Sequence, residues 1–239
     1  MPSPSDARSL GPVAAIPAHE LVLAQLRRSI HLGHFGAGDK LPPERELAKL
    51  LGVSRTTVRE AVRVLEGEGL VEIKRGSSGG ISVRPQSMGR TELRRRLREF
   101  EEIIEFRLAV EPMAARLAAQ RRTKSDIAAL QKAFEWVAML AATGAEGAVS
   151  DWVRADGEYH LTIAKISRNQ RLENAIEEAR AGMFLPIGAV FGRLESHAHL
   201  MHEELYQSIV NGEPERAAAA MTSHVEATLA DVRNLVVGT

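Results

Sequence analysis

Apolar residues recur at helical spacing through most of this chain. The pattern predicts helices over about 18 to 32, 44 to 51, 54 to 67, 91 to 120, 124 to 142, 147 to 167, 170 to 190, 196 to 211 and 214 to 236. Strict alternation, the mark of a half-buried strand, is confined to LVEIK (70–74) and ISVR (81–84), which flank the basic, Gly-rich KRGSSGG. Thr123 and Ser125 mark a helix start, and Gly144, Gly147, Gly212 and Pro214 mark breaks. The fold class is therefore mainly α, with three helices and a small β hairpin followed by an antiparallel all-α bundle. The bundle has six helices, or seven if the Arg-rich TELRRRL (91–97) forms a short helix of its own.

The turn chemistry of residues 41–84 narrows this picture. Pro42 and Pro43 suit the first turn of a new helix, Leu47, Leu50 and Leu51 share one face of it, and Gly52 stops it. After a short turn, Ser54 is a good N-cap for a second helix whose buried stripe is Val58, Ala61, Val62 and Leu65. Arg55, Thr56, Thr57 and Arg59 are then left on or near its exposed N-terminal end, the end that a recognition helix pushes into the major groove. The hairpin reads as a wing whose basic tip can lie along phosphates. This is the layout of a winged helix-turn-helix, which makes double-stranded DNA the expected partner.

At 239 residues and 44% hydrophobic, the chain suits two domains with a sizeable core. Formal net charge is zero, but residues 1–90 hold 13 Lys and Arg against 9 Asp and Glu, while residues 91–239 hold 18 against 22. The basic surplus sits with the DNA-reading half. Cysteine is absent, which excludes disulfides, Cys-ligated zinc fingers and thiol catalysis. No stretch approaches a membrane span, and MPSPSDARSLGP lacks the basic start and apolar core of a signal peptide, so a cytoplasmic location is expected. Residues 1–16, rich in Pro, Ser and Ala, read as a disordered arm.

LPPERELA, VSRTTVREAVRVLEGEGLV and RGSSGG resemble the DNA-binding domain of the GntR family of bacterial transcription regulators, over residues 17–85. The resemblance implies that Arg45, Arg55 and Arg59 reach phosphates or guanine edges and that Ser54, Thr56 and Thr57 hold the backbone. It also implies that Arg75 and Gly76 carry the wing into the minor groove. The bland reading of the arginines is a surface pair with Glu44 or Glu60. One departure is visible: the family commonly has Ser where this chain has Pro43, so that helix lacks a side-chain cap.

Within the bundle, four polar residues fall on apolar faces. Asp156 and His160 are one helical turn apart on the face of Val153, Ile163 and Ala164; His202 shares a face with Leu205 and Ile209, and His224 with Ala217, Ala220, Met221 and Thr228. A single inward histidine is usually a satisfied core residue, but four converging groups on three helices make a candidate divalent metal site. DGEYH (156–160), HEELYQSIVNGEPERA from His202, and His224 resemble the FCD effector-binding domain of the FadR subfamily, here spanning 98–236 with 86–97 as a linker or short helix.

The second resemblance implies a metal held by Asp156, His160, His202 and His224. In EIIEFRLAVEPMAARLAA (102–119) it further implies an effector carboxylate on Arg107, whose alternative is a surface pair with Glu111 at i+4. Imidazole and carboxylate donors suit zinc first, then nickel, manganese or iron. No nucleophile is paired with a base, so the chain reads as a non-enzymatic regulator. It is expected to be a repressor that binds a palindromic operator as a homodimer, under the control of a small organic acid. The other readings are a metal-dependent enzyme fused to a DNA-binding head and a regulator whose metal is purely structural.

Overall fold

The structure is a computed structural model that describes residues 15–74, 76, 79–85, 90–143, 149–187 and 195–237. All but the last two residues of the expected N-terminal arm lie outside these, as does Arg75. In the N-terminal part, α1 (Ala18–His31), α2 (Glu44–Leu51) and α3 (Arg55–Gly67) enclose a core with β1 (Lys40–Leu41), β2 (Val71–Lys74) and β3 (Gly80–Val83). The sheet order is β1-β3-β2, antiparallel throughout, with Val71 opposite Val83 and Leu41 opposite Ile81. The two-residue β1 is absent from the sequence pattern because it is too short to show any alternation.

Each end in this part has a local cause. Pro43 precedes α2 with no side-chain cap bond, as its lack of a hydroxyl dictates, and Gly52 ends α2 at φ 67°. Ser54 caps α3, its Oγ accepting from the Thr57 N–H at 3.1 Å.

The C-terminal part is built from α4 (Arg90–Arg121), α5 (Lys124–Thr143), α6 (Val149–Ile166), α7 (Gln170–Ile187), α8 (Glu195–Asn211) and α9 (Pro214–Val237). Residues 91–97 belong to α4 and do not form a separate helix, because no breaker separates TELRRRL from the apolar stripe that follows. Helix α4 packs against α6, α7, α8 and α9 and so lies at the centre of the bundle. Buried Ala114, Ala115, Ala118 and Ala119 on α4 allow neighbouring helices a close approach. Pro112 removes one hydrogen bond from the interior of α4, directly beside Glu111. Thr123 and Asp126 form a reciprocal cap on α5, with Thr123 N–H donating to Asp126 Oδ2 at 2.9 Å and Asp126 N–H to Thr123 Oγ1 at 3.2 Å.

A third small core joins the two parts. Leu32, just after α1, is buried with Ala114, Leu161, Ala164 and Ile176. Arg28 of α1 pairs with Glu177 of α7 at 3.0 Å.

Candidate functional site

The four residues read as inward-facing come together in the bundle, and all are buried. One potential ligand atom from each of Asp156, His160, His202 and His224 lies within 4.8 Å of the others. His202 Nε2 is 3.0 Å from Asp156 Oδ1, His160 Nε2 is 3.7 Å from the same oxygen, and the Nε2 atoms of His160 and His224 are 3.1 Å apart. Ligand–metal bonds of about 2.0 to 2.2 Å in a tetrahedral arrangement require ligand atoms about 3.3 Å from one another, so the donor set fits a divalent cation.

The hydrogen bonds around the cluster fix its orientation. His160 Nδ1 lies 2.6 Å from Glu111 Oε2, and a carboxylate can only accept, so the imidazole proton is at Nδ1 and Nε2 offers a lone pair to the cluster. Tyr159 donates its O–H to the His202 backbone carbonyl at 3.1 Å and packs edge-on to the His202 ring. Trp152 is buried and also meets that ring edge-on.

Arg107 and Glu111 do form the expected i+4 pair, but not at the surface: each side chain is 1% exposed. Arg107 Nε and Nη2 donate to Glu111 at 2.5 and 3.2 Å, and Nη1 reaches the Met183 sulfur at 2.9 Å. A surface pair would be worth a few tenths of a kcal/mol, whereas breaking a buried one costs several. Glu111 thus bridges Arg107 and His160. Arg180 on α7 is also buried and donates to Asp156 Oδ2.

Glu111 and Arg180 are members of the site that the sequence pattern does not reveal. The spacing of Glu111 from Arg107 is all that the chain shows, and it suits a surface pair equally well. For Arg180 a signal exists: Ile176, Ala179 and Met183, all buried, share its helical face.

These environments set the protonation states. Burial alone would raise both carboxyls, but Arg107 and His160 hold Glu111 well below the usual carboxylate range, and Arg180 with the histidines does the same for Asp156. Burial lowers His160 from 6.5 to about 4, with Arg180 acting in the same direction and Glu111 and Asp156 opposing. His224 is also driven well below its ordinary value, first by burial and then by His202 and His160. At neutral pH these two imidazoles are neutral, the form that binds metals.

On the DNA-reading side, Arg45, Ser54, Arg55, Thr56 and Arg59 are exposed around α2 and the start of α3, with Thr57 half-buried. Ser54 and Thr57 are occupied with one another in the cap, their hydroxyls 2.8 Å apart. Arg59 is not free, for it donates to Glu44 through Nε at 3.2 Å and Nη2 at 2.9 Å, and Arg55 Nη2 lies 4.0 Å from the same carboxylate. The surface pairing of Arg59 therefore exists; as an exposed pair it competes weakly with a phosphate. Gly76 is exposed at the wing tip with φ 113°, a conformation that favours glycine.

A winged helix joined to a helical bundle with a buried, charge-lined cluster defines a DNA-binding regulator with an effector domain. Residues 19–81 match the model of the bacterial regulatory proteins of the gntR family, and residues 102–227 match the FCD domain. The chain belongs to the GntR family of transcription regulators, in the branch that carries an FCD domain.

Among its relatives, the Uxu operon regulator of Haemophilus influenzae is 32% identical, covering 84% of this chain and 76% of that protein. The Glc operon transcriptional activator of Escherichia coli is 26% identical over 87% of this chain and 86% of that protein. The transcriptional repressor NanR of Klebsiella aerogenes is 28% identical over 94% and 88%. The solved Escherichia coli McbR/YncC structure shares the fold at a TM-score of 0.59 and 19% identity, covering 92% of this chain and 99% of that one. No helix among the described residues is long and apolar enough to cross a membrane.

Proposed function

We propose that the protein is a metal-dependent, acid-responsive repressor that binds a palindromic operator as a homodimer. Residues 17–85 read the DNA, residues 98–236 hold the effector, and Asp156, His160, His202 and His224 hold a divalent ion, zinc in the first instance. The observation that carries this reading is the convergence of one carboxylate and three imidazoles, with two neutral histidines, beside the buried Arg107. When bound, the ion offers an electrophilic position to a carboxylate oxygen. Arg107 then donates to the acid's other oxygens, Glu111 keeps His160 in the tautomer that faces the cluster, and Tyr159 holds the His202 backbone.

On the DNA side, Arg45, Arg55 and Arg59 approach the phosphates or base edges at the mouth of the major groove, with Thr56 and the Ser54–Thr57 cap fixing the backbone. The wing, through Arg75 and Gly76, takes the minor groove. Relatives include both an activator and a repressor, so the fold leaves the sign of regulation open, and repression is the simplest arrangement for an acid-released switch. Metal analysis of purified protein, followed by gel-shift titration with a set of small carboxylic acids before and after chelation, tests the reading. Metal near one equivalent per chain and an acid that changes DNA affinity only in the metal-loaded protein are expected. A metal-loaded protein that no acid affects would point to a structural ion, and hydrolytic turnover lost in His160→Ala to an enzyme.

A further inference from the structure

The four ionised side chains around the cluster cancel in pairs. Arg107 is matched by Glu111 and Arg180 by Asp156, and all four are at least nine-tenths buried. A divalent ion therefore adds two positive charges beyond these matched pairs, and the three imidazoles of the cluster carry no negative charge to offset them. Two unbalanced charges in a site closed off from water are costly unless an anion accompanies them.

The donors point to the same conclusion. A guanidinium has five N–H groups in a planar fork. Arg180 gives one nitrogen to Asp156, while its Nε and Nη1 are buried with no hydrogen-bond partner among the described residues. Arg107 spends Nη1 on a thioether sulfur, a weak acceptor. Met183, which Arg107 touches, lies three residues beyond Arg180 on α7, about one helical turn along the same face. Two partly used guanidinium forks thus belong to the surroundings of the cluster, one through Glu111 and one through Asp156.

We infer that the effector is a short dianion, a dicarboxylate with one acid group on the ion and Arg107 and the second on the Nε–Nη1 edge of Arg180. The inference rests on the metal-dependent sensing reading and narrows it from organic acids to diacids. It makes Arg180 a specificity-determining residue, since a monocarboxylate would leave that edge bare and one positive charge unbalanced.

The test uses full-length, zinc-loaded protein and calorimetric titration with malonate, succinate and malate, each against its monomethyl ester, with inorganic phosphate in parallel. At least one diacid is expected to bind about 10- to 100-fold more tightly than its ester, the value of one charge-assisted contact. In Arg180→Gln that ratio should fall to within about threefold, whatever the change in absolute affinity that follows from loss of the Asp156 pair, and Arg180→Lys should keep part of it.

Esters that bind as tightly as diacids overturn the inference and leave monoacid sensing intact. So does an Arg180→Gln variant that weakens metal binding but preserves the ratio, because Arg180 would then only position Asp156. Phosphate binding more tightly than every diacid overturns the choice of dicarboxylate. If neither acids nor esters bind the loaded protein, acid sensing fails along with it.

Discussion

Glu111→Gln is the most informative single change at this site. The carboxylate is 1% exposed and takes two N–H bonds from Arg107 and one from His160, so the amide keeps the shape while removing the charge. Arg107 cannot shed its proton, and its remaining contact is the Met183 sulfur. Breaking a buried ion pair from one side costs about 3 to 5 kcal/mol, a large part of a domain's total stability. For a chain of this size that corresponds to a melting-temperature loss of about 6 to 20 °C. Metal affinity should fall about 10- to 100-fold as well, since Glu111 orients His160. Scanning fluorimetry of metal-loaded and chelated protein measures both. A variant that melts within about 2 °C of the parent would show that Arg107 does not depend on Glu111, and the bridged site would be wrong.

Other outcomes follow from the same geometry. Arg55→Ala and Arg59→Ala should each lower the slope of log K against log salt for operator binding by about 0.9 for every phosphate the variant no longer neutralises, so unchanged slopes in a filter-binding titration would remove both from the interface. The chelated protein should lose stability as pH falls from 6.5 towards 4, because His160 titrates at about 4 when folded and at 6.5 as a model group; the unfolded chain takes up a proton that the folded state refuses. The decline is up to about 1.4 kcal/mol per pH unit, and equal urea midpoints at pH 7 and pH 5 would contradict it. Two glycines should respond oppositely to alanine in thermal melts. At Gly157 a Cβ meets only the Leu32 carbonyl at 3.9 Å, and the gain in helix propensity is up to about 1 kcal/mol. At Gly33, with φ +73° and Arg154 Cβ at 3.1 Å, the change should cost about 1 to 2 kcal/mol or more.

Helix α6 explains what is legible in the chain. Asp156 and His160 can be assigned to the interior because the apolar residues around them recur at helical period, and period is a local property. The same logic locates His202 and His224 and most helix ends, where Gly52, Ser54 and Pro214 act within a turn of themselves. Local spacing cannot tell that the face of α4 carrying Arg107 and Glu111 is covered by other helices. The i+4 pair has the same spacing whether solvated or buried, and only the packing of α6 and α7 against α4 decides between them. Arg180 is a different case: the apolar face it shares with Ile176, Ala179 and Met183 signals burial, but its partner Asp156 is 24 residues away on another helix and cannot be read from spacing. Gly157 is a helix-weakening residue type in the sequence, and only the fold shows its neighbour, the Leu32 carbonyl just after α1, with room left for a Cβ.

That contact bears on how binding at the proposed ion site would reach the DNA. Asp156 and His160 point into the bundle from α6, while Arg154, Gly157 and Leu161 of the same helix form part of the seat for residues 32 and 33. Arg180 on α7 likewise shares its helix with Ile176 and Glu177, which hold Leu32 and Arg28. The helix seated there, α1, packs against α3, which carries Arg55 and Arg59. A ligand alters DNA affinity only if it binds two arrangements of this seat unequally. Typical couplings are about 1 to 3 kcal/mol. Withdrawing a buried leucine such as Leu32 from its pocket costs about 1.5 to 3 kcal/mol. The two magnitudes match, so the proposed ligand on α6 and α7 would have enough differential binding energy to shift this junction.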